Sequence, residues 1–387
     1  MMFFDNWQGY ARADGSFGIR NHVLVLSTSD LSNSTARKVC GIVRGTIPIC
    51  PGFGRCAIGD DLEQHFRTLA GIAVNPNVYG VVIVSMEPMS AQKLAERIAP
   101  HHRPVACFDY DTCGGPLKVL ESASRAAMQM VADASAQSRT AMAPDKLILG
   151  VECGGSDTTS GVINNPVIGM VADRVVNAGG TVILSETVEW MGAEELLAAR
   201  CERPETAQKI RSAVRFYDEY VARIGQDLRG ANPTPDNIKG GLSTIEEKAL
   251  GSVKKGGTSP IRDMIRYAEK PSCRGLILMD APAAGVENMT GLAATGCQMI
   301  LFSTGKGNPI GNPISPTLKI CCNNRTLQNA PETIDVDLTK VITEDLPLEA
   351  AADILADHAS RCAAGRLCAA EILETVDISI SRIGYTV

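Results

Sequence analysis

Lys146-Leu-Ile-Leu-Gly-Val-Glu-Cys-Gly-Gly-Ser-Asp157 decides how the rest of the chain reads. An apolar run of strand length, Lys146–Val151, meets a Gly-Gly turn, continues as Thr158-Thr-Ser-Gly161 and leads into the helical pattern Pro166–Asn177. A strand without polar alternation is covered on both faces, and a helix directly after it is the crossover that a parallel neighbour requires. Working outward, the same strand-then-helix grammar recurs on both sides. Before it lie strand candidates His22–Thr28, Val78–Met86 and Pro104–Asp109, with helical patterns Ser34–Arg44, Asp60–Ile72, Ala91–Ile98 and Pro116–Ala134. After it come strands Gly180–Ser185, Arg274–Asp280, Met299–Ser303 and Thr317–Cys321, with helices Ala193–Ala199, Pro204–Ile224 and Leu348–Ala363.

This alternation predicts an α/β protein of two Rossmann-like lobes, each with a largely parallel sheet, and a shared cleft at the C-terminal ends of the strands. Ser135–Asp145 is small, polar and interrupted by Pro144, so it reads as a linker between an N-terminal lobe over 1–140 and a C-terminal lobe over 141–387. The stretch Gly230–Gly257 is rich in Gly, Pro, Asn and Lys and too long for an ordinary connector, and we expect a mobile loop there.

Composition bounds the function. Of 387 residues 45% are hydrophobic, 21% charged and 4% aromatic, which fits a globular protein with a real core and excludes a disordered or fibrous one. No apolar run approaches the ~20 residues of a membrane span. Lys and Arg number 37 against 43 Asp and Glu, a net charge of −6 that argues against a nucleic-acid partner but leaves room for a local basic pocket. The opening Met1–Trp7 shows no secretory signal. Thirteen cysteines, an odd number with no C-x-x-C pair, point to a reducing cytoplasm and to thiols that serve as small buried hydrophobes.

Ligands of open α/β sheets bind at strand C-termini. Here those ends carry Thr28-Ser-Asp30, Met86-Glu87, Glu152–Asp157, Ser185-Glu-Thr187 and Ser303-Thr-Gly-Lys-Gly307. Gly154, Gly155, Ser156 and Asp157 form either an anion nest of backbone amides or an ordinary tight turn capped by Ser156 or Asp157. Lys306 and Lys319 are candidate point charges for carboxylate or sulfonate oxygens, or plain solvated lysines. Ser243-Thr-Ile-Glu246 reads as a capping box, and the stretch around it brings Lys239 and Lys248 toward a substrate. Asp14-Gly15 marks a hairpin turn in which Arg12 and Arg20 read as surface charges. His65 follows Gly54-Arg-Cys-Ala-Ile-Gly-Asp60 closely. P-loop, G-x-S-x-G and G-x-G-x-x-G motifs are absent.

Gly9–Asn21, Glu152–Gly161, Leu184–Glu194, Asn232–Gly251 and Phe302–Asn323 together resemble the altronate/D-galactarate dehydratase family from end to end. That family carries a small N-terminal SAF-type domain, whereas this sequence opens at the catalytic part, so the resemblance implies that the small domain is either absent or supplied by another polypeptide, a separate small SAF-domain subunit. Three loop cysteines of the sugar-acid dehydratases align near Leu31, Arg55 and Met86, none of which is Cys. Phe53–Leu69, Asn75-Pro-Asn77, Glu87-Pro88 and Arg361–Glu371 resemble instead the branch formed by the large subunits of (2R)-sulfolactate sulfo-lyase.

The resemblance implies a lyase, a homo-oligomer acting on a small anionic 2-hydroxy acid by β-elimination, with sulfolactate giving pyruvate and sulfite as the first choice. Arg55, Lys306, Lys319 and the Gly154–Asp157 turn are the expected oxyanion contacts. Lys239, Lys248, Glu186 and His65 are the expected acid/base groups. The alternative is a sugar-acid dehydratase that retains a divalent metal, Fe2+ or Mg2+, through oxygen ligands such as Asp157 and Glu186.

Overall fold

The computed structural model describes residues 7–384. The opening Met1–Asn6, part of the segment read for a leader, lies outside them. Among the described residues fourteen strands form in chain order: Gln8–Ala11 (β1), Phe17–Gly18 (β2), His22–Ser27 (β3), Thr46–Ile49 (β4), Val78–Ser85 (β5), Val105–Asp109 (β6), Thr140–Ala141 (β7), Ile148–Cys153 (β8), Thr181–Leu184 (β9), Ile261–Ile265 (β10), Gly275–Met279 (β11), Met299–Ser303 (β12), Thr317–Cys321 (β13) and Val336–Asp337 (β14).

The long apolar strands assemble into two wholly parallel sheets. One has the order β4-β3-β5-β6 and the other β10-β11-β9-β8-β12-β13-β14. The protein is therefore α/β with two parallel-sheet lobes. β1 pairs antiparallel with β2 and with β7, and Gly15 turns the β1–β2 hairpin with φ +78°.

Each sheet is covered on both faces, as parallel strands demand. On the four-stranded sheet, Val25, Val82 and Val84 meet Ala36, Val39, Val119, Ala123 and Ala127 of the helices Asn33–Ile42 and Pro116–Ser135. Leu24, Leu26, Val81 and Ile83 face the other way, onto helices Gly59–Ala73 and Pro88–Ile98. That second core does not stop at the lobe. It runs on through Met289, Leu292 and Ala293 of helix Gly285–Thr295 to Ile183, Ile277, Ile300 and Phe302 of the seven-stranded sheet. The two helices approach so closely that a Cβ on Gly71 would lie 2.3 Å from the Ala294 carbonyl oxygen. The opposite face of the large sheet packs Leu149, Val151, Leu301 and Ile320 against helices Asn165–Asn177 and Leu348–Ala363.

Two buried asparagines fasten the same junction. The Asn75 side chain donates to the carbonyls of Ala293 (2.7 Å) and Cys297 (3.0 Å). Asn77 donates to those of Gln298 (2.8 Å) and Ile314 (2.9 Å), and accepts from the Ile19 amide (2.8 Å). Arg12 and Arg20, read as surface charges, are buried instead. The Arg20 guanidinium forks onto Glu371 at 2.8 and 2.9 Å, and Arg12 reaches the Pro76 carbonyl at 2.8 Å.

Candidate active site

Polar strand ends meet different fates in the two lobes. In the first they are spent on local structure. Glu87, after β5, accepts from the Ser90 amide (3.1 Å), and Asp109, closing β6, accepts from that of Thr112 (2.8 Å), so both cap helices. His65 donates from Nε2 to the Thr28 carbonyl at 2.9 Å and sits between the rings of Phe53 and Phe66. Burial lowers its pKa and keeps the ring neutral. Arg55 is exposed and makes no hydrogen bond or ion pair among the described residues.

In the second lobe they converge. β8 ends at Cys153, and β9 leads through Ser185 into Glu186, whose φ of +74° puts a buried, non-glycine residue in the left-handed region. That turn places Glu186 and, one 3-10 turn on, Glu189 against Cys153. The helix Ile245–Ser252 and the turn Val253–Gly256 supply Lys248, Ser252 and Lys255. Lys255 Nζ donates to Cys153 Sγ at 2.8 Å and forms an ion pair with Glu186. Cys153 Sγ donates to Glu189 Oε2 at 3.1 Å, Ser252 donates to the same oxygen at 3.0 Å, and Lys248 pairs with Glu189 Oε1 at 2.8 Å. Lys248 also donates to Asn232 Oδ1 at 2.7 Å. The result is a closed ring of two ammonium groups, two carboxyls, a thiol and a hydroxyl, almost wholly shielded from solvent.

Burial and pairing split these groups apart. Burial pushes the Glu186 carboxyl up to about 8, although Lys255 pulls the other way. Burial acts on Glu189 too, but Lys248 and Lys255 reverse it and hold that carboxyl down at about 2. Cys153 is raised by burial and by both carboxylates, which keeps it a thiol. Burial alone would lower Lys248 and Lys255; their acidic partners overcome it, and both stay ammonium.

A cavity of about 420 Å³ opens over this ring. Cys153, Glu189, Lys248 and Ser252 form its floor, with Ser156, Asp157 and Asn165 along one wall. Its size suits a small organic acid. The wall is built by the turn that the sequence singled out. Asp157 Oδ1 accepts from the Ser160 amide (2.9 Å) and the Thr159 hydroxyl (2.7 Å), and Oδ2 accepts from Asn323 (2.6 Å). Its carboxylate is thus a saturated cap, and the turn presents a negative group where an anion nest was one of two expectations. Lys306 flanks the turn, its Cβ within 3.2 Å of where a Gly155 side chain would begin, and its head is exposed.

The stretch 230–257 is a folded cover. It forms the helices Pro235–Lys239 and Ile245–Ser252, the first docked on the turn by Asn237, which donates to the Ser156 carbonyl at 2.9 Å. The capping box falls at Thr234 and Asn237, not at Ser243 and Glu246. The second helix starts one residue later than expected, from Thr244, which accepts from the Glu247 amide at 3.1 Å. Lys239 ends the first helix exposed and without a partner among the described residues. Lys319 also departs from expectation. It shares a row with Phe302 and Glu152 across β13, β12 and β8, on the face of the sheet opposite Cys153. Its ammonium lies 3.3 Å from the Phe302 ring centroid and donates to the Ile310 carbonyl, and burial lowers it to about 7.

Of the expected residues, then, the structure brings Glu186, Lys248 and the Gly154–Asp157 turn together; Lys306, beside Gly155, and Lys239 do not line the cavity. Arg55, His65 and Lys319 lie elsewhere. Cys153 Sγ and the Glu186 and Glu189 oxygens fall within 4.8 Å of one another, a donor set that could hold a metal ion. Its charge does not suit one as arranged. Lys255 and Lys248 already sit on those same atoms, so a divalent ion would have to displace two ammonium groups and ionise a disfavoured thiol.

Residues 144–386 match the family described as D-galactarate/altronate dehydratase, C-terminal, and residues 9–135 match D-galactarate dehydratase/altronate hydrolase, second domain. The chain is 38% identical over 380 residues to the (2R)-sulfolactate sulfo-lyase subunit beta of Chromohalobacter salexigens, covering 97% of each. It is 29% identical to the altronate dehydratase of Bacillus subtilis over 98% of this chain and 78% of that one. The altronate dehydratase of Escherichia coli is 31% identical over 87% and 69%. The chain belongs to the D-galactarate/altronate dehydratase family, a family of lyases.

Proposed function

We propose that the chain catalyses β-elimination from a small anionic 2-hydroxy acid, and that sulfolactate, cleaved to pyruvate and sulfite, is its substrate. The observation that carries this reading is the Lys248–Glu189 pair on the floor of the cavity, a cation and a carboxylate side by side at the end of β8. An incoming substrate carboxylate competes with Glu189 for Lys248. Glu189 then loses the partner that depresses its pKa, so its basicity rises at the moment a C2–H is presented to it. It takes that proton, and Lys248 balances the charge that builds on the substrate carboxylate. The C2–H electron pair forms the C2–C3 double bond and sulfite leaves from C3, giving the enol of pyruvate, which becomes the keto acid. Glu186, with Lys255, holds Cys153 and the floor in place and is the proton reservoir behind it. Lys306, exposed beside Gly155, is the contact for the sulfonate in this reading.

The resemblance to a sulfo-lyase subunit beta supports a second, smaller subunit as partner. The unpaired thiols, all thirteen of them, support a reducing compartment such as the cytoplasm. No helix among the described residues is long and apolar enough to cross a membrane. Incubating the purified chain, alone and with the small subunit, with sulfolactate and assaying sulfite tests the reading. Release of a keto acid from altronate or galactarate, with no sulfite from sulfolactate, would assign the chain to the hydro-lyases instead.

A further inference from the structure

One wall of the cavity over the Cys153 ring carries a polar side chain that the elimination chemistry leaves unused. Asn165, 2% exposed, stands where a π-helical turn, Ser160–Asn164, passes into helix Asn165–Asn177. Its amide bonds back five residues to the Ser160 carbonyl, and Pro166 after it has no amide to give. Turns of this kind are rare and gather at functional sites.

The Asn165 side chain has a fixed orientation. Nδ2 donates to the Gly251 carbonyl at 3.1 Å, and because a carbonyl only accepts, the amide cannot be turned the other way round. Its Oδ1 is buried, and no donor reaches it among the described residues. A buried acceptor without a donor is disfavoured, and this one belongs to a wall of a space sized for a small acid. Gly161 and Gly251, which also line that space, bring the turn and helix Ile245–Ser252 into contact: a Cβ on Gly251 would lie 2.9 Å from Gly161 Cα. Lys248 comes three residues before Gly251 in the same helix, so the two are neighbours on one face. Asn165 and Lys248 therefore line one space about a helical turn apart, a neutral acceptor beside a cation.

We propose that Asn165 is the residue that selects for the 2-hydroxyl: its Oδ1 accepts a hydrogen bond from the hydroxyl on the carbon next to the carboxylate that Lys248 holds. A 2-hydroxy acid carries these two groups on adjacent carbons, a donor for the acceptor and an anion for the cation. The inference rests on the elimination reading for the place of the carboxylate, and adds the contact that separates hydroxy acids from their deoxy counterparts. A deoxy acid leaves Oδ1 bare, which is the stronger ground for rejecting it. The enol keeps the donor and the keto acid has lost it, so the contact disappears as product forms. Malate and succinate test this, two small diacids that differ only in the 2-hydroxyl and carry no group that leaves from C3 as sulfite does. In calorimetric titration of the full chain, the better-bound enantiomer of malate should exceed succinate by about tenfold or more. Asn165→Ala should bring malate down to the level of succinate and leave succinate unchanged; Asn165→Leu, which keeps the volume, should do the same. A purely structural Asn165 would weaken both ligands together. Equal affinity for the two in the unaltered protein, an equal loss for both in the variants, no loss for either, or no binding of malate at millimolar concentration overturns the inference. Sulfite assay keeps it apart from the reading it rests on. Sulfite release without a preference for malate removes the role of Asn165 alone, and a preference abolished by Asn165→Ala without sulfite release removes the choice of sulfolactate alone.

Discussion

Replacing Lys248 with methionine keeps the length and apolar stem of the side chain and removes the charge that pairs Glu189. Under the proposed chemistry, Lys248→Met lowers kcat/KM for sulfolactate by about a hundredfold or more, read as sulfite release, because transition-state charge on the carboxylate loses its balance. The two buried carboxyls make opposite predictions for stability. Glu189 has a folded pKa of about 2 against an ordinary 4.5, so the folded state holds fewer protons than the unfolded one between those values. Its stabilisation is complete above the ordinary pKa and is lost as pH falls toward 2. Glu186, at about 8, has the reverse sign: stability declines as pH rises from about 4.5 to 8, since ionising it in the fold is disfavoured. Chemical denaturation across pH should show both arms, with Glu186→Gln flattening the neutral arm and Glu189→Gln the acid one. Because Lys255 and Lys248 already occupy the donor atoms of the ring, dialysis against a chelator should leave the melting temperature unchanged; a fall would show that an ion, not the ammonium groups, sits on those atoms. Half of this ring was legible in the sequence. Glu186 and Lys248 stood out, while Glu189 and Lys255 did not. Their spacing was the available signal: Glu186 and Glu189 are three apart, and Lys248 and Lys255 seven apart, so each pair falls on one side of a helical turn.

Between elements, the tightest constraint is the crossing of helices Gly59–Ala73 and Gly285–Thr295. A methyl on Gly71 would have to displace the Ala294 carbonyl, which is backbone and cannot swing aside. Gly71→Ala should cost about 1–3 kcal/mol in denaturant unfolding, the penalty of overpacking. The first of these helices was plain from its periodicity, and the second was not. Gly285-Val-Glu-Asn-Met-Thr-Gly-Leu-Ala-Ala-Thr295 is buried almost all round, so it has no polar stripe to betray its period. β4 and β10 escaped for another reason. Thr46-Ile-Pro-Ile49 carries a proline suited to a sheet edge, and Ile261-Arg-Asp-Met-Ile265 breaks alternation at the outer end of the large sheet. Inner strands such as Val78–Ser85, apolar on both faces, needed no such context.

Across the whole molecule, the two sheets share one continuous core, and Asn75 and Asn77 tie their backbones together. Removing the Asn77 side chain strands buried carbonyls and amides on both sides of the junction, so Asn77→Ala should cost about 2–4 kcal/mol, with loss of stability in one cooperative transition seen by calorimetry. Sequence periodicity revealed both sheets, but it could not show which faces meet, since that depends on contacts between residues two hundred positions apart. The joint core has a kinetic corollary. Lobes joined by a shared apolar core do not gape like a clam shell, and the cavity over Lys248 lies within the second lobe, so a reactant does not reach it by the halves swinging apart. Entry falls instead to the mouth of the 420 Å³ cavity within the second lobe, bounded by Leu242, Glu247 and Leu250 of the same segment that supplies Lys248.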